Sequence, residues 1–93
     1  MLVLLGCCHA GVVNTLEHIC RITGRDDVYA VIGGTHLSFC SSEQFAGTVA
    51  ALKRLRVRRL AASHCTGFAA ASRLAQELGG MFQPAMVGYT LEV

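Results

Sequence analysis

The sequence is poor in proline (one residue), in aromatics (6%, with no tryptophan) and in charge (15%). So little charge beside so much apolar content excludes a disordered tail, a solvated charged helix and a coiled coil. No apolar run approaches the roughly 20 residues that a membrane span needs. Acid and base nearly balance, with eight Lys or Arg against six Asp or Glu and a net charge of +2. The pI near 8.4 is too weakly basic to point to nucleic acid. What the chain has in quantity is hydrophobic residues, 53% of its 93, with a mean hydropathy of +0.48. With glycine counted and tyrosine omitted, the apolar share lies well above the roughly 45–50% usual for a soluble domain. A chain of this length makes one small domain, residues 1–93, that hides roughly two-thirds of its unfolded surface. The composition therefore predicts more apolar surface than the domain can cover, and with it a partner: a second copy or another chain.

Leu4-Leu5-Gly6-Cys7 resembles a lipoprotein cleavage site, but no basic stretch stands before it and only four apolar residues, Leu2 to Leu5, precede Gly6. A secretory signal fails on length and charge, and a cytoplasmic protein is expected. Five cysteines, at 7, 8, 20, 40 and 65, are an odd number in a chain able to build an apolar core. They are expected to be mainly reduced rather than a disulfide framework.

Three apolar, partly β-branched runs read as buried strands: Leu2 to Leu5, Val28 to Ile32, and Leu60 to Ala62 with its flanks. Each leads through a loop into a helical pattern. Gly11 to Ile22 puts Val12, Val13, Leu16, Ile19 and Cys20 on one stripe, with Gly24 as the stop. Ser41 or Ser42 can cap a second helix with the stripe Phe45, Val49, Leu52 and Leu55. Thr66 can cap a third with Phe68, Ala71, Leu74, Ala75 and Leu78, closed by Gly79-Gly80. Residues 81–93, with Pro84 and Gly88, read as one or two short edge strands. Three βα units followed by a strand segment give an α/β fold with right-handed crossovers and a mostly parallel sheet.

The chemistry lies in where the histidines fall. His9, His36 and His64 each follow one of the three strands, one βα unit apart. In a parallel sheet these loops emerge at one edge, the carboxyl edge where open α/β folds place ligands. Side chains from neighbouring strand ends, roughly 4.8 Å apart, can converge on a metal, for which imidazole is a common ligand. Cys8 and Cys65 flank two of the histidines and could add a thiolate or pack beside them. The alternative is three ordinary hydrogen-bonded histidines. His18, within the first helix, reads as structural. Gly6, Gly33 and Gly34 suit close backbone approach or are simple turn glycines, and no Walker or dinucleotide signature is present. Lys53, Arg54, Arg56, Arg58 and Arg59 crowd a helix end, where the dipole favours cations; a phosphate or acidic-partner patch is the other reading. Asp26-Asp27 and Glu17 make no paired-carboxylate site.

Three blocks carry a family resemblance: Gly6-Cys7-Cys8-His9-Ala10-Gly11-Val12-Val13-Asn14-Thr15-Leu16-Glu17, Ile32-Gly33-Gly34-Thr35-His36-Leu37, and Ser63-His64-Cys65-Thr66-Gly67. Together they resemble the C-terminal half of a metallo-β-lactamase-fold hydrolase, in the dihydropteridine/ribofuranosylaminobenzene-phosphate-synthase-like branch. The resemblance implies half of an αββα sandwich with two metal ions, usually zinc, at the carboxyl edge; iron or manganese are the alternatives. By position His9 resembles the third-motif metal ligand and His64 the last histidine ligand, while His36 falls near a bridging carboxylate of many relatives. Within these blocks Cys8, Cys65, Thr66 and Asn14 are candidates for substrate contact or for support of the metal ligands.

The family's H-x-H-x-D-H block, which supplies most of the remaining ligands, has no counterpart here. The expectation is a partial hydrolase domain, weakly metal-binding and not competent as an isolated monomer. It would be completed by a homodimeric copy or by a chain carrying the N-terminal half. The contrasting expectation is a non-catalytic oligomeric module, a truncated remnant of the family. A nucleic-acid or phosphate binder built on residues 53–59 has least to support it.

Overall fold

A computed structural model describes residues 1–92. Strand β1 (Leu2–Leu5) leads to helix α1 (Val12–Thr23), β2 (Ala30–Gly34), α2 (Ser42–Arg54) and β3 (Arg59–Ser63). A 3-10 turn (His64–Thr66), α3 (Phe68–Leu78), a second 3-10 turn (Gly79–Met81) and β4 (Phe82–Pro84) complete the described order. The described strands form one sheet in the order β1-β2-β3-β4, every pair parallel. Successive parallel neighbours joined by right-handed crossovers bring every helix to the same face. That face carries the row Val3, Val31, Leu60 and Phe82, set by the register. Against it pack Val12 and Leu16 of α1, Phe45, Val49 and Leu52 of α2, and Ala70 and Leu74 of α3.

Among the described residues no helix lies on the opposite face. Its register row is Leu4, Ile32, Ala61 and Gln83. Leu4 is 77% exposed and Leu2, on the same face, 46%, while Ile32 is half-buried. Ala30 and Ala61 are buried there. The apolar excess of the composition thus surfaces in part on this side of the sheet, at Leu2 and Leu4, and in part elsewhere, at Ile22, Phe39, Phe68, Met86 and Val87.

Helix ends follow from local chemistry. Ser41 caps α2 with a full capping box: Ser41 Oγ accepts from the Gln44 N–H at 3.1 Å, and Gln44 Oε1 accepts from the Ser41 N–H at 2.9 Å. Gly24 closes α1 in the left-handed region, at φ 68°. At the end of α2 the Arg56 and Val57 amides donate to the carbonyls of Lys53 and Leu52, at 3.1 and 3.0 Å. This is the Schellman arrangement, with Val57 and Leu52 buried together. Its left-handed position, which favours glycine, is occupied by Arg56 at φ 58°.

The structure departs from the sequence reading in three places. Strand β2 runs two residues later than Val28–Ile32. Val28 is buried outside the strand, and the Tyr29 carbonyl accepts from both Arg58 and Arg59 amides. Thr66 does not cap α3; Gly67 does so at φ 78°, without a side-chain bond. Phe68 is 88% exposed and Ala75 is exposed, because the buried positions of α3 are Ala70 and Leu74, one turn apart. Residues 81–93 contribute a single strand over the described residues. It is an edge strand, where Pro84 costs no ladder hydrogen bond. Among the described residues no helix is long and apolar enough to cross a membrane.

The basic run lies at the amino edge, away from the histidines. Lys53 and Arg54 form the last turn of α2, and Arg54 pairs with Glu17 of α1 at 2.7 Å. At the same edge Arg25 grips Asp27 through Nε, 2.8 Å from Oδ1, and through Nη2 to Oδ2. These bonds to Arg25 hold the Asp27 carboxyl down at about 2.

Replacing Arg56 by glycine relieves a left-handed residue of its Cβ, which outweighs the extra freedom of the unfolded chain. Arg56→Gly is expected to stabilise by up to about 1 kcal/mol, read as a higher urea midpoint at unchanged slope. The Asp27 pair should act only on the acid side. Because the folded state holds the carboxyl below its ordinary 3.8, its contribution is complete above that value and lost as pH falls toward 2. The gap in urea midpoint between the natural chain and Asp27→Asn should accordingly be constant near neutrality and close on acidification.

Candidate metal edge

The loops after β1, β2 and β3 share the carboxyl edge of the sheet and a common backbone irregularity. Cys8, His36 and His64 adopt φ values of 58°, 54° and 55°, a left-handed conformation uncommon outside glycine. Such residues cost of order 1–3 kcal/mol and persist only where surrounding contacts impose them. One occurs in each of the three loops, at or beside each candidate histidine. Each of the first and third loops then passes through a positive-φ glycine, Gly11 (94°) or Gly67 (78°), into its helix.

Close packing imposes this geometry. The Gly34 amide donates to the Gly6 carbonyl at 2.9 Å. A Cβ on Gly34 would stand 2.6 Å from that carbonyl oxygen and 2.8 Å from the Cys65 Sγ. A Cβ on Gly33, at φ 131°, would strike the Leu5 carbonyl. The glycine pair at the end of β2 is therefore required by close approach of both flanking loops. Behind it, Thr66 Oγ1 donates to the Ser63 carbonyl at 2.9 Å and accepts from the Thr35 N–H at 3.2 Å. Its one proton being committed, it also accepts from the Thr35 hydroxyl at 2.8 Å. Both threonines are 2% exposed, so this tie between the second and third loops is closed to water.

His9 and His36 meet: their ring centroids are 4.6 Å apart at 48°. They line a cleft of about 540 Å³ together with Cys8, Asn14, Cys40 and Gln44. His64 does not join them. It lines a separate, mainly apolar hollow of about 950 Å³ with Phe68, Phe82, Met86 and Val87. Among the described residues no three His, Cys, Asp or Glu side chains gather closely enough to hold one ion. Three-way convergence, expected from the strand spacing, is thus reduced to a pair, because the third loop turns at His64 itself and starts a 3-10 turn there.

The remaining candidates support the loops. Asn14 donates through Nδ2 to the Ala10 carbonyl at 2.9 Å, bracing the first loop. Cys8 donates to Thr15 Oγ1 at 3.3 Å. Cys65 donates to the Cys7 carbonyl at 3.1 Å. The Cys7 thiol is pushed above its ordinary value by loss of hydration, then by its hydrogen bond to, and like-charge repulsion from, the Cys65 thiol. All five cysteines are free and half-buried. His18 is exposed on α1, its Nδ1 accepting from Arg21 Nη2 at 3.1 Å. Thr35 and Cys7 escape the sequence reading. Each lies within two residues of a candidate histidine, but nothing in the sequence pairs Thr35 with Thr66 or Cys7 with Cys65.

Replacing Thr66 by valine leaves the buried Thr35 N–H without an acceptor. Thr66→Val should destabilise by about 1–3 kcal/mol in urea unfolding, whereas Thr66→Ser should fall close to the natural chain.

No family model matches the chain. The 7,8-dihydropterin-6-methyl-4-(beta-D-ribofuranosyl)-aminobenzene-5'-phosphate synthase of Methanocaldococcus jannaschii is 37% identical to it over 83 residues, which are 89% of this chain and 28% of the synthase. A solved structure of a metal-dependent hydrolase of the beta-lactamase superfamily matches with a TM-score of 0.89 at 32% identity, over 99% of this chain and 36% of the hydrolase. The chain spans about a third of either protein's length. In fold it corresponds to part of a beta-lactamase-superfamily metal-dependent hydrolase, and in sequence it is similar to the dihydropterin/ribofuranosylaminobenzene phosphate synthase branch.

Proposed function

We propose that this chain is one part of a metal-dependent hydrolase, contributing the His9 and His36 imidazoles to a metal that a second polypeptide surface completes. The observation that carries this reading is the pairing of His9 with His36 at 4.6 Å, on loops whose strained backbone is held by Gly33-Gly34 and the Thr35–Thr66 tie. The likeness to a metal-dependent hydrolase at 32% identity supports it. Zinc is the metal proposed, with iron or manganese as the other candidates for an imidazole pair in this fold.

Catalytic zinc normally takes three protein ligands and keeps a fourth position for water. The described residues fit only a fraction of that set, two nitrogens in one cleft with His64 in the neighbouring hollow, so no catalytic step is assigned to this chain alone. The apolar face bearing Leu2, Leu4 and Ile32 gives a completing surface something to cover. Exposed apolar patches of this kind mark association sites, and the occupant proposed is a second copy of the chain or a chain carrying the rest of the fold.

Zinc titration with native mass spectrometry tests the reading. Saturable binding is expected, weakened at least about tenfold, or 1.4 kcal/mol, in both His9→Ala and His36→Ala. Affinity unchanged in both variants would discard the metal role. The same uncovered face favours a second reading, a non-catalytic association module. A metal-free dimer that ignores added zinc would establish it in place of the first.

A further inference from the structure

Two cysteines come together at the carboxyl edge outside the histidine cleft. Cys7 follows β1 and Cys65 lies in the turn after β3, 58 residues away in sequence. Strand β2 separates their strands, yet the residue between them is Gly34, which has no side chain to keep them apart. The Cys65 Sγ and the Cys7 Cα lie 2.8 and 3.2 Å from the point where a Gly34 Cβ would be. The Cys65 thiol donates to the Cys7 carbonyl oxygen at 3.1 Å, which holds its sulfur against the Cys7 backbone. Both are half-buried, so a small oxidant can reach them. Cys8, the immediate neighbour of Cys7, is turned instead to Thr15.

We propose that Cys7 and Cys65 form a reversible modification site, a dithiol that a hydroperoxide converts into a disulfide linking the first loop to the third. The chemistry balances with the peroxide as the two-electron oxidant. One thiolate attacks a peroxide oxygen; an S–O bond forms, the O–O bond breaks, and the released hydroxide leaves as water with a thiol proton. The other sulfur then attacks the sulfenic sulfur. The S–S bond forms, the S–O bond breaks, and the second oxygen leaves as water with the remaining proton. Two sulfurs have each lost one electron, and one peroxide has become two waters. The link would fasten the loops that carry Cys8-His9 and His64 to one another across Gly34. It is independent of metal binding, and its test requires no metal.

The folded chain is treated with one equivalent of hydrogen peroxide, alkylated, digested and mapped by mass spectrometry. The Cys8→Ser variant is carried alongside, so that position 7 is read without its neighbour. Expected is a pair of peptides joined through 7 and 65, about 2 Da lighter than the two free thiol forms because two hydrogens are lost. It should disappear on reduction, persist in Cys8→Ser, and be absent from both Cys7→Ser and Cys65→Ser. In urea, short loops close more readily than long ones, so the 7–65 link should fall at least about tenfold relative to the folded chain. Three results would overturn the proposal: Cys65 recovered as free thiol or sulfinic acid after Cys7 has been oxidised, a 7–65 link found only between two chains, or a yield equal in urea.

Discussion

A strand in a parallel sheet must be followed by a chain that climbs back before the next strand can begin, and it does so with one handedness. When the strands also lie in their sequence order, that requirement decides everything else about this molecule. Every described return helix falls on one face, so none covers the other. Every strand ends at the same edge, so the residues that follow the strands become neighbours although they are far apart in sequence. The core of Val3, Val31, Leu60, Leu16, Leu52 and Leu74 and the edge bearing His9, His36 and His64 are two results of one winding rule.

The middle strand carries the edge. Loops one and three press on β2 from either side, and only glycine at 33 and 34 lets them close. The hydroxyl of Thr66 then gathers three bonds in a pocket closed to water. The left-handed backbone at Cys8, His36 and His64 is tolerated because these contacts impose it. A relaxed edge would let each histidine loop choose its own course, and the imidazole pair depends on their not doing so.

Much of this was legible in the sequence. Periodicity located each helix, the Ser41-Ser42 pair and Gly24 marked two ends, the first serine of the pair being the cap, and the strand-end positions of the histidines gave the edge. The Gly-Cys-Cys-His-Ala-Gly and His-Cys-Thr-Gly blocks carried the resemblance to the fold, and Gly11, Gly67 and Thr66 within them serve its geometry. Three things lay beyond it. Thr66 reads as a cap from spacing alone, since its partner Thr35 is 31 residues away. Phe68 fits an apolar stripe whose rotation is set by packing rather than by period. The reach of His64 depends on the turn it starts, and one left-handed residue redirects a side chain by more than strand spacing can foresee.

The bare face gives the molecule a temperature dependence as well as a shape. Water around Leu2, Leu4 and Ile32 is released when the face is covered, and that release is entropic near room temperature and carries a negative change in heat capacity. A partner seated there would therefore hold less firmly in the cold than in the warm. Contact made through Leu2 and Leu4 would by the same reasoning be most secure at the warm end of the protein's range.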